Sequence, residues 1–153
     1  MRRQDREIRE LDGIVAVMER CDVCRLGFSD EREPYIVPMN FGMKREGDVL
    51  TLYFHCAQEG RKLALAARNP RVCFEMDCDH VLQPAADASH CTMRYACVMG
   101  TGTLEQVEGE EKEEALWLLL RHYGQPAAAL SRTVVDMTVV WKLTVETVSG
   151  KRH

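Results

Sequence analysis

The sequence predicts one domain of mainly β structure with α-helices, a small antiparallel β-barrel decorated on its outside. Three observations carry that expectation. Apolar and polar residues alternate with period two along several segments, only short helical stretches separate them, and neither a regular strand-helix alternation nor an internal repeat runs through the chain. So many half-buried strands within 153 residues need a shared interior. Closing the sheet hides the apolar face and removes exposed edges. A domain of this size buries roughly 68–70% of the surface of its unfolded chain, so neither disulfides nor metal are needed to hold it together.

The elements follow in order. Between Asp5 and Arg20, Ile8, Leu11, Ile14, Val15 and Met18 recur at helical spacing opposite Arg6, Glu7, Arg9, Glu10 and Glu19, which predicts a half-buried first helix. Val23 to Phe28 is a short strand, and Ser29 to Glu33 a solvated turn. Pro34 to Met43 then reads as one strand with a defect at Pro38, because proline cannot donate to a ladder and belongs at an edge or bulge. Val49 to His55 alternates, with Leu50, Leu52 and Phe54 on one face and Thr51, Tyr53 and His55 on the other; Arg45-Glu46-Gly47-Asp48 announces its hairpin turn. Arg61 to Arg68 is a short Ala/Leu-rich helix stopped by Asn69-Pro70, and Arg71 to Asp77 alternates again.

Cys78 to Ser89 reads as a loop. Thr92 to Val107 is a long strand whose Gly100 and Gly102 permit a sharp bend. A helix spans Glu110 to Tyr123, its acidic opening complementing the positive end of the helix dipole, and Gly124-Gln125-Pro126 stops it. Val135, Met137, Val139, Trp141, Leu143 and Val145 alternate with polar neighbours as a final half-buried strand.

With 20 Lys+Arg against 24 Asp+Glu the net charge is −4, and no basic stripe is present to neutralise a nucleic-acid backbone. The charged residues at Met1 to Glu7 leave no apolar core for a secretory signal, and no apolar run approaches the ~20 residues that cross a bilayer. The expectation is a cytoplasmic protein without a nucleic-acid or membrane partner, its seven cysteines reduced. Cys21-Asp22-Val23-Cys24 has CxxC spacing but no second pair, and alternation sends Cys24 inward with Leu26 and Phe28. Cys78, His80, His90 and Cys91 flank one loop, yet their spacing matches no standard zinc site, so no metal is assigned.

The most informative stretch is Tyr53 to Lys62, where a strand ends, Gly60 turns, and a helix begins on the adjacent cations Arg61 and Lys62. Free N–H groups, the dipole and two cations together suit a phosphate, although a solvated basic pair has the same spacing. His55, at the end of that strand, could orient a ligand, donate a proton, ligate a metal, or simply satisfy a hydrogen bond.

Taken in series, Pro34 to Phe41, Leu52 to Ala57, Gly60-Arg61-Lys62, Asn69 to Phe74, Tyr95 to Gly102 and Ser149 to Arg152 resemble the FMN-binding split-barrel family related to pyridoxamine 5'-phosphate oxidase, within it the nitroimidazole-resistance branch. The resemblance covers nearly the whole chain. It implies a six-stranded antiparallel split β-barrel over 1–153 and a homodimer with FMN at the interface. By the same resemblance Gly60, Arg61 and Lys62 hold the phosphate, and the strand around Pro38, Met39, Asn40 and Phe41 runs along the ring, with the Pro38 defect freeing the Met39 and Asn40 amides. Phe54 and His55 border the ring or its ribityl chain, His55 being the candidate catalytic residue, and Trp141 is included because the last strand of one subunit reaches the other's site. The implied activity is an oxidoreductase passing electrons from reduced flavin to a small acceptor such as a nitroaromatic. The alternative is a non-catalytic flavin or haem carrier. The chain lacks the oxidase's extended C-terminal substrate region, so oxidation of pyridoxamine phosphate is not expected.

Overall fold

A computed structural model describes residues 3–125 and 130–153. Its strands are β1 (Glu7–Ile8), β2 (Cys24–Phe28), β3 (Tyr35–Met39), β4 (Gly42–Glu46), β5 (Val49–Cys56), β6 (Arg71–Gln83), β7 (Thr92–Val107) and β8 (Val139–Arg152). The helices are α1 (Leu11–Met18), α2 (Arg61–Arg68), α3 (Gly109–His122) and α4 (Arg132–Met137). The strands form one antiparallel sheet in the order β3-β2-β6-β7-β8-β5-β4, with β1 added beside β8. Eight strands take part rather than six. The sheet is not closed by hydrogen bonds, since β3 and β4 are its two edges.

Those edges are consecutive in the chain. Only Asn40 and Phe41 separate Met39 from Gly42, and that length of chain spans at most about 10 Å. The sheet must therefore roll until its edges nearly meet, leaving a split. Inside lie Leu26 and Phe28 of β2, Leu50, Leu52 and Phe54 of β5, Val72, Phe74 and Met76 of β6, Val98 of β7 and Trp141 and Leu143 of β8. Burying each large apolar side chain contributes roughly 1.5–3 kcal/mol. α1 adds Ile14, Val17 and Met18 to this core, and α2 adds Leu65 and Ala66. α3 lies outside, over Tyr53, Val107 and Val140, packing Ala115 and Leu118 against them. Its backbone comes so close to β4 that a Cβ on Gly42 would sit 2.5 Å from the Leu119 nitrogen.

The structure departs from the sequence reading in definite places. The first helix begins only at Leu11, because Glu7 and Ile8 pair with Lys151 and Gly150 at the end of β8. Pro34 to Met43 is two strands, not one. Pro38 stands opposite Arg25 on the edge strand and the ladder runs on to Met39 opposite Cys24, so the break falls at Asn40-Phe41 rather than at Pro38. Cys78 to Gln83 continues β6 past a bulge at Asp79-His80, with Val81 to Gln83 pairing with Thr92 to Arg94. Beyond Cys78, which packs against the core, neither face of that extension is covered, which is why no alternation marks it. Val135 and Met137 belong to α4 rather than to the last strand, because the flanking strands end at Cys56 and Val107, opposite Val139 and Val140. Pro126, part of the expected stop after α3, lies outside the described residues; Gly124, at φ 69°, supplies the left-handed turn that ends the helix.

Gly100 and Gly102 are required by contact. A Cβ on Gly100 would meet the Thr147 carbonyl oxygen at 2.3 Å and the Phe74 ring at 2.5 Å. The register shifts beside it, between Thr101 and Gly102, leaving Glu146 as the extra residue of β8. Gly100→Ala is therefore expected to cost about 2 kcal/mol or more of stability, read as a lower denaturation midpoint in a reversible unfolding titration.

Candidate functional site

The turn before α2 is built for a group that approaches the backbone. Gly60 sits at φ 137°, ψ 163°, a region open in practice only to glycine, and nothing stands within 4 Å of where its Cβ would be. The first turn of α2 contains no acidic residue, so its free N–H groups and the positive end of its dipole are uncompensated from within the helix. Lys62 makes no ion pair among the described residues. It lies near enough to Cys56 to oppose the rise in thiol pKa that burial imposes there.

Arg61 is engaged. Its guanidinium donates to Asp30 at 2.9 Å and to Glu33 at 3.4 Å, and its carbon lies 4.6 Å from the centre of the Tyr35 ring. Asp30 also accepts from Arg68, 2.9 Å away. The hydrogen bond from Arg61, with help from the Glu31 amide and Arg68, holds the Asp30 carboxyl down at about 2. In sequence Asp30 belongs to a stretch that reads as a solvated turn; only the fold brings it beside two arginines of α2, and no local pattern announces it.

The strand residues divide by face. Pro38 and Asn40 are exposed at the open edge, and Met39 is buried. Phe41, Phe54 and Trp141 are core residues of the single chain, at 0%, 0% and 4% exposure. Alternation explains this: Phe54 and Trp141 are ladder partners facing the barrel interior. His55, one residue on, faces out. Partial desolvation lowers its pKa below the ordinary histidine value.

The split itself is held by residues that sequence reasoning misses. The Tyr123 hydroxyl donates to the Asp22 carbonyl at 2.8 Å and accepts from the Phe41 N–H at 3.1 Å. His122 stacks on Phe41 with ring centres 4.2 Å apart, and its Nε2 lies 2.7 Å from the Cys21 carbonyl oxygen, which can only accept. Two adjacent residues at the end of α3 thus fix both the crossover and the loop beneath it.

A groove of about 1120 Å³ runs over the outer face of β2, β6, β7 and β8. Phe28, Ile36, Cys73 and Met99 line it, with Arg25 and Glu75 along one wall. Ser29 and Pro34 also line the groove, and the loop they bracket carries Asp30 and Glu33, which hold Arg61. The groove and the α2 turn therefore share a border. Among the described residues no group of His, Cys, Asp and Glu is arranged to hold a metal. His80 pairs with Asp77 and His90 with Asp87, while Cys91 is exposed elsewhere on the surface.

Comparison with known proteins gives a family. The sequence profile of pyridoxamine 5'-phosphate oxidase matches residues 10–152. A candidate 5-nitroimidazole antibiotic resistance protein from Bacteroides thetaiotaomicron is 34% identical, with 95% of this chain and 86% of that one covered and a TM-score of 0.82. Two further structures share the fold. A flavocytochrome of Azotobacter vinelandii is 20% identical, covering 100% of this chain and 72% of its own, with a TM-score of 0.79. A FAD- and haem-binding protein of Mycobacterium smegmatis is 16% identical, covering 96% and 73%, with a TM-score of 0.81. No curated protein matches.

The environment of His55 is open to titration. Because desolvation disfavours its charged form in the folded chain, the unfolded chain binds the proton first as pH falls, and stability is lost below the ordinary histidine pKa. An NMR titration is expected to place the His55 midpoint below that of an unfolded peptide carrying the same histidine. Its replacement by Gln should flatten that part of the stability profile.

Proposed function

The chain belongs to the pyridoxamine 5'-phosphate oxidase family, and from that premise we propose that it is an FMN-binding oxidoreductase of the cytoplasm, acting as a homodimer. One observation carries the reading: Gly60 opens the backbone at an acid-free helix N-terminus where Lys62 has no ion-pair partner among the described residues and Arg61 is adjacent. That donor set suits a phosphate monoester.

The α2 amides and Lys62 hold the phosphate. Arg61 contributes through the same turn, its charge partly answered by Asp30 and Glu33. The polar edge of the ring is met by backbone groups at the open edge of β3, around Pro38 and Asn40, because an edge strand keeps half of its backbone groups unpaired. When bound, the flavin supplies reversible electron transfer, and the protein supplies orientation and shielding. His55, whose charged form is disfavoured by partial desolvation, can accept a proton or hydrogen-bond a small acceptor. The likeness to the Bacteroides protein supports a nitroaromatic as that acceptor. A second copy of the chain laid over the apolar groove, where Ile36 and Met99 are 65% and 56% exposed, encloses the ring.

A visible absorption spectrum of protein purified without added cofactor, followed by identification of what denaturation releases, tests the reading. FMN is expected. Released FAD would keep the flavin and correct the cofactor, and a haem band would favour the carrier. Replacing Arg61 and Lys62 together by Ala should weaken FMN binding by about a hundredfold or more, given ~1.5–3 kcal/mol for each charged hydrogen bond, with the fold retained by circular dichroism. Unchanged affinity in that double variant would remove the phosphate assignment.

A further inference from the structure

Two thiols meet where α1 ends and β6 bulges. The Cys21 Sγ donates to the Val17 carbonyl oxygen at 3.3 Å, and the Cys78 Sγ donates to the same oxygen at 3.9 Å. One acceptor therefore lies between two sulfurs that are far apart in sequence. Cys78 is half-buried and reachable from solvent, whereas Cys21 is 2% exposed. The next residue after Cys78 is Asp79, at φ 60°, and Arg20 grips its carboxylate through Nε at 3.2 Å and Nη2 at 2.9 Å. The residues preceding Cys21 and following Cys78 are thus already tied together, which keeps the two chain segments that carry the thiols side by side.

We propose that Cys21 and Cys78 form a reversible intramolecular disulfide when the protein meets hydrogen peroxide. Cys78, the more accessible of the two thiols, attacks one peroxide oxygen through the minor fraction present as thiolate, which burial disfavours and the Arg20 cation partly favours. The O–O bond breaks, the departing oxygen takes a proton and leaves as water, and a sulfenic acid remains on Cys78. The Cys21 sulfur then displaces the sulfenic oxygen, which leaves as a second water while the S–S bond forms. Two thiols have lost two electrons in all, and one peroxide has become two waters. Each thiol raises or lowers the other's ionisation, as neighbours must: Cys78 is among the causes that hold Cys21 high, and Cys21 partly relieves the rise at Cys78.

The other cysteines do not share this arrangement. Cys24 is fully buried with its side chain among the core residues of β2, and Cys73 lies in the outer groove with its Sγ near the Gly27 carbonyl oxygen. The consequence of the link is local to the split. The Cys21 carbonyl accepts from His122, and the adjacent Asp22 carbonyl accepts from Tyr123, which also holds Phe41. A bond through Cys21 adds a covalent anchor to the loop on which that crossover rests.

The test uses the folded chain with its exposed thiols Cys73 and Cys91 replaced by Ser, so that links between molecules are removed. Hydrogen peroxide is added, remaining thiols are alkylated after unfolding, and the product is read by intact mass and peptide mapping. The expected product has two alkyl groups fewer and one cross-linked pair of peptides joining Cys21 to Cys78, both reversed by dithiothreitol and both absent after Cys78→Ser. Peroxide that leaves both thiols open to alkylation, links either one to Cys24 or Cys97, or drives Cys78 to a sulfinic acid while Cys21 stays free would overturn the proposal. The mapping is made on protein retaining both Cys21 and Cys78, so its outcome does not depend on the fold of the Cys78→Ser variant.

Discussion

The two-residue crossing from Met39 to Gly42 is the constraint on which the rest of the structure depends. A seven-strand path could lie open and twisted, with both faces seeking cover. Joining its first and last strands through Asn40 and Phe41 alone removes that freedom. One face must then turn inward and fill with the aromatic and branched side chains of β2, β5, β6 and β8. The crossing also creates a local difficulty, because backbone polar groups leave the ladder where the chain dives toward the core. The Tyr123 hydroxyl answers it by accepting from Phe41 and donating to Asp22. Gly42 answers the steric side, since only a residue without a side chain lets the Leu118-Leu119 backbone lie against β4.

Rolling the sheet sorts its side chains into two populations with different chemistry. Inside, apolar groups pack together, and Phe28 and Trp141 meet across the interior with ring centres 6.2 Å apart. The outer face and the edges are where a groove and unpaired backbone groups are offered to a ligand. The outer face carries the groove, and the open edge of β3 lies beside it, Ile36 belonging to both. The start of α2 reaches the same region through the Asp30 to Tyr35 loop, where Arg61 is held by two carboxylates and an aromatic ring. Arg61 therefore has a structural task as well as a positive charge, and Lys62 is the cation left without an ionic partner among the described residues. The distinction matters for any anion that docks there, because Asp30 stays ionised down to about 2 and repels an anion wherever Arg61 does not screen it.

What is legible in the sequence is the part written in period. The end of α2 follows from Asn69-Pro70, the long strand β7 is read with its Gly100 and Gly102 bend, and the edge position of Pro38 follows from its missing N–H. The hairpin between β4 and β5 follows from Gly47-Asp48, with Gly47 at φ 62°. The failures share a cause. Ile8 satisfies a helical pattern and Val135 a strand pattern, yet each is assigned by whether a partner strand is there to receive it. Asp79 to Gln83 has a partner strand and no covered face, so it carries no pattern at all. At the site, the Gly60-Arg61-Lys62 turn can be read from local chemistry. Alternation sends Phe54 inward, and the structure buries it. The roles of Asp30 and Tyr123 leave no local signal, since each acts on residues remote in sequence.

Those remote contacts converge more closely than the element order suggests. The loop Cys21-Asp22 follows α1, receives hydrogen bonds from both His122 and Tyr123 at the end of α3, and through Tyr123 is joined to the crossover at Phe41. Asn40 adds a longer contact, its Nδ2 lying 3.4 Å from the Asp22 carbonyl oxygen. One loop thus fixes the end of α3, the end of α1 and the place where the two sheet edges join. Neutral side-chain hydrogen bonds of this kind contribute about 0.5–1.5 kcal/mol each when made and cost more when a buried group is left unpaired. Their weight therefore lies less in overall stability than in holding the split at one width. Because the edge of β3 that faces the groove ends at this crossover, the geometry offered to a ligand on the outer face is set from beneath, by residues that the ligand itself never touches.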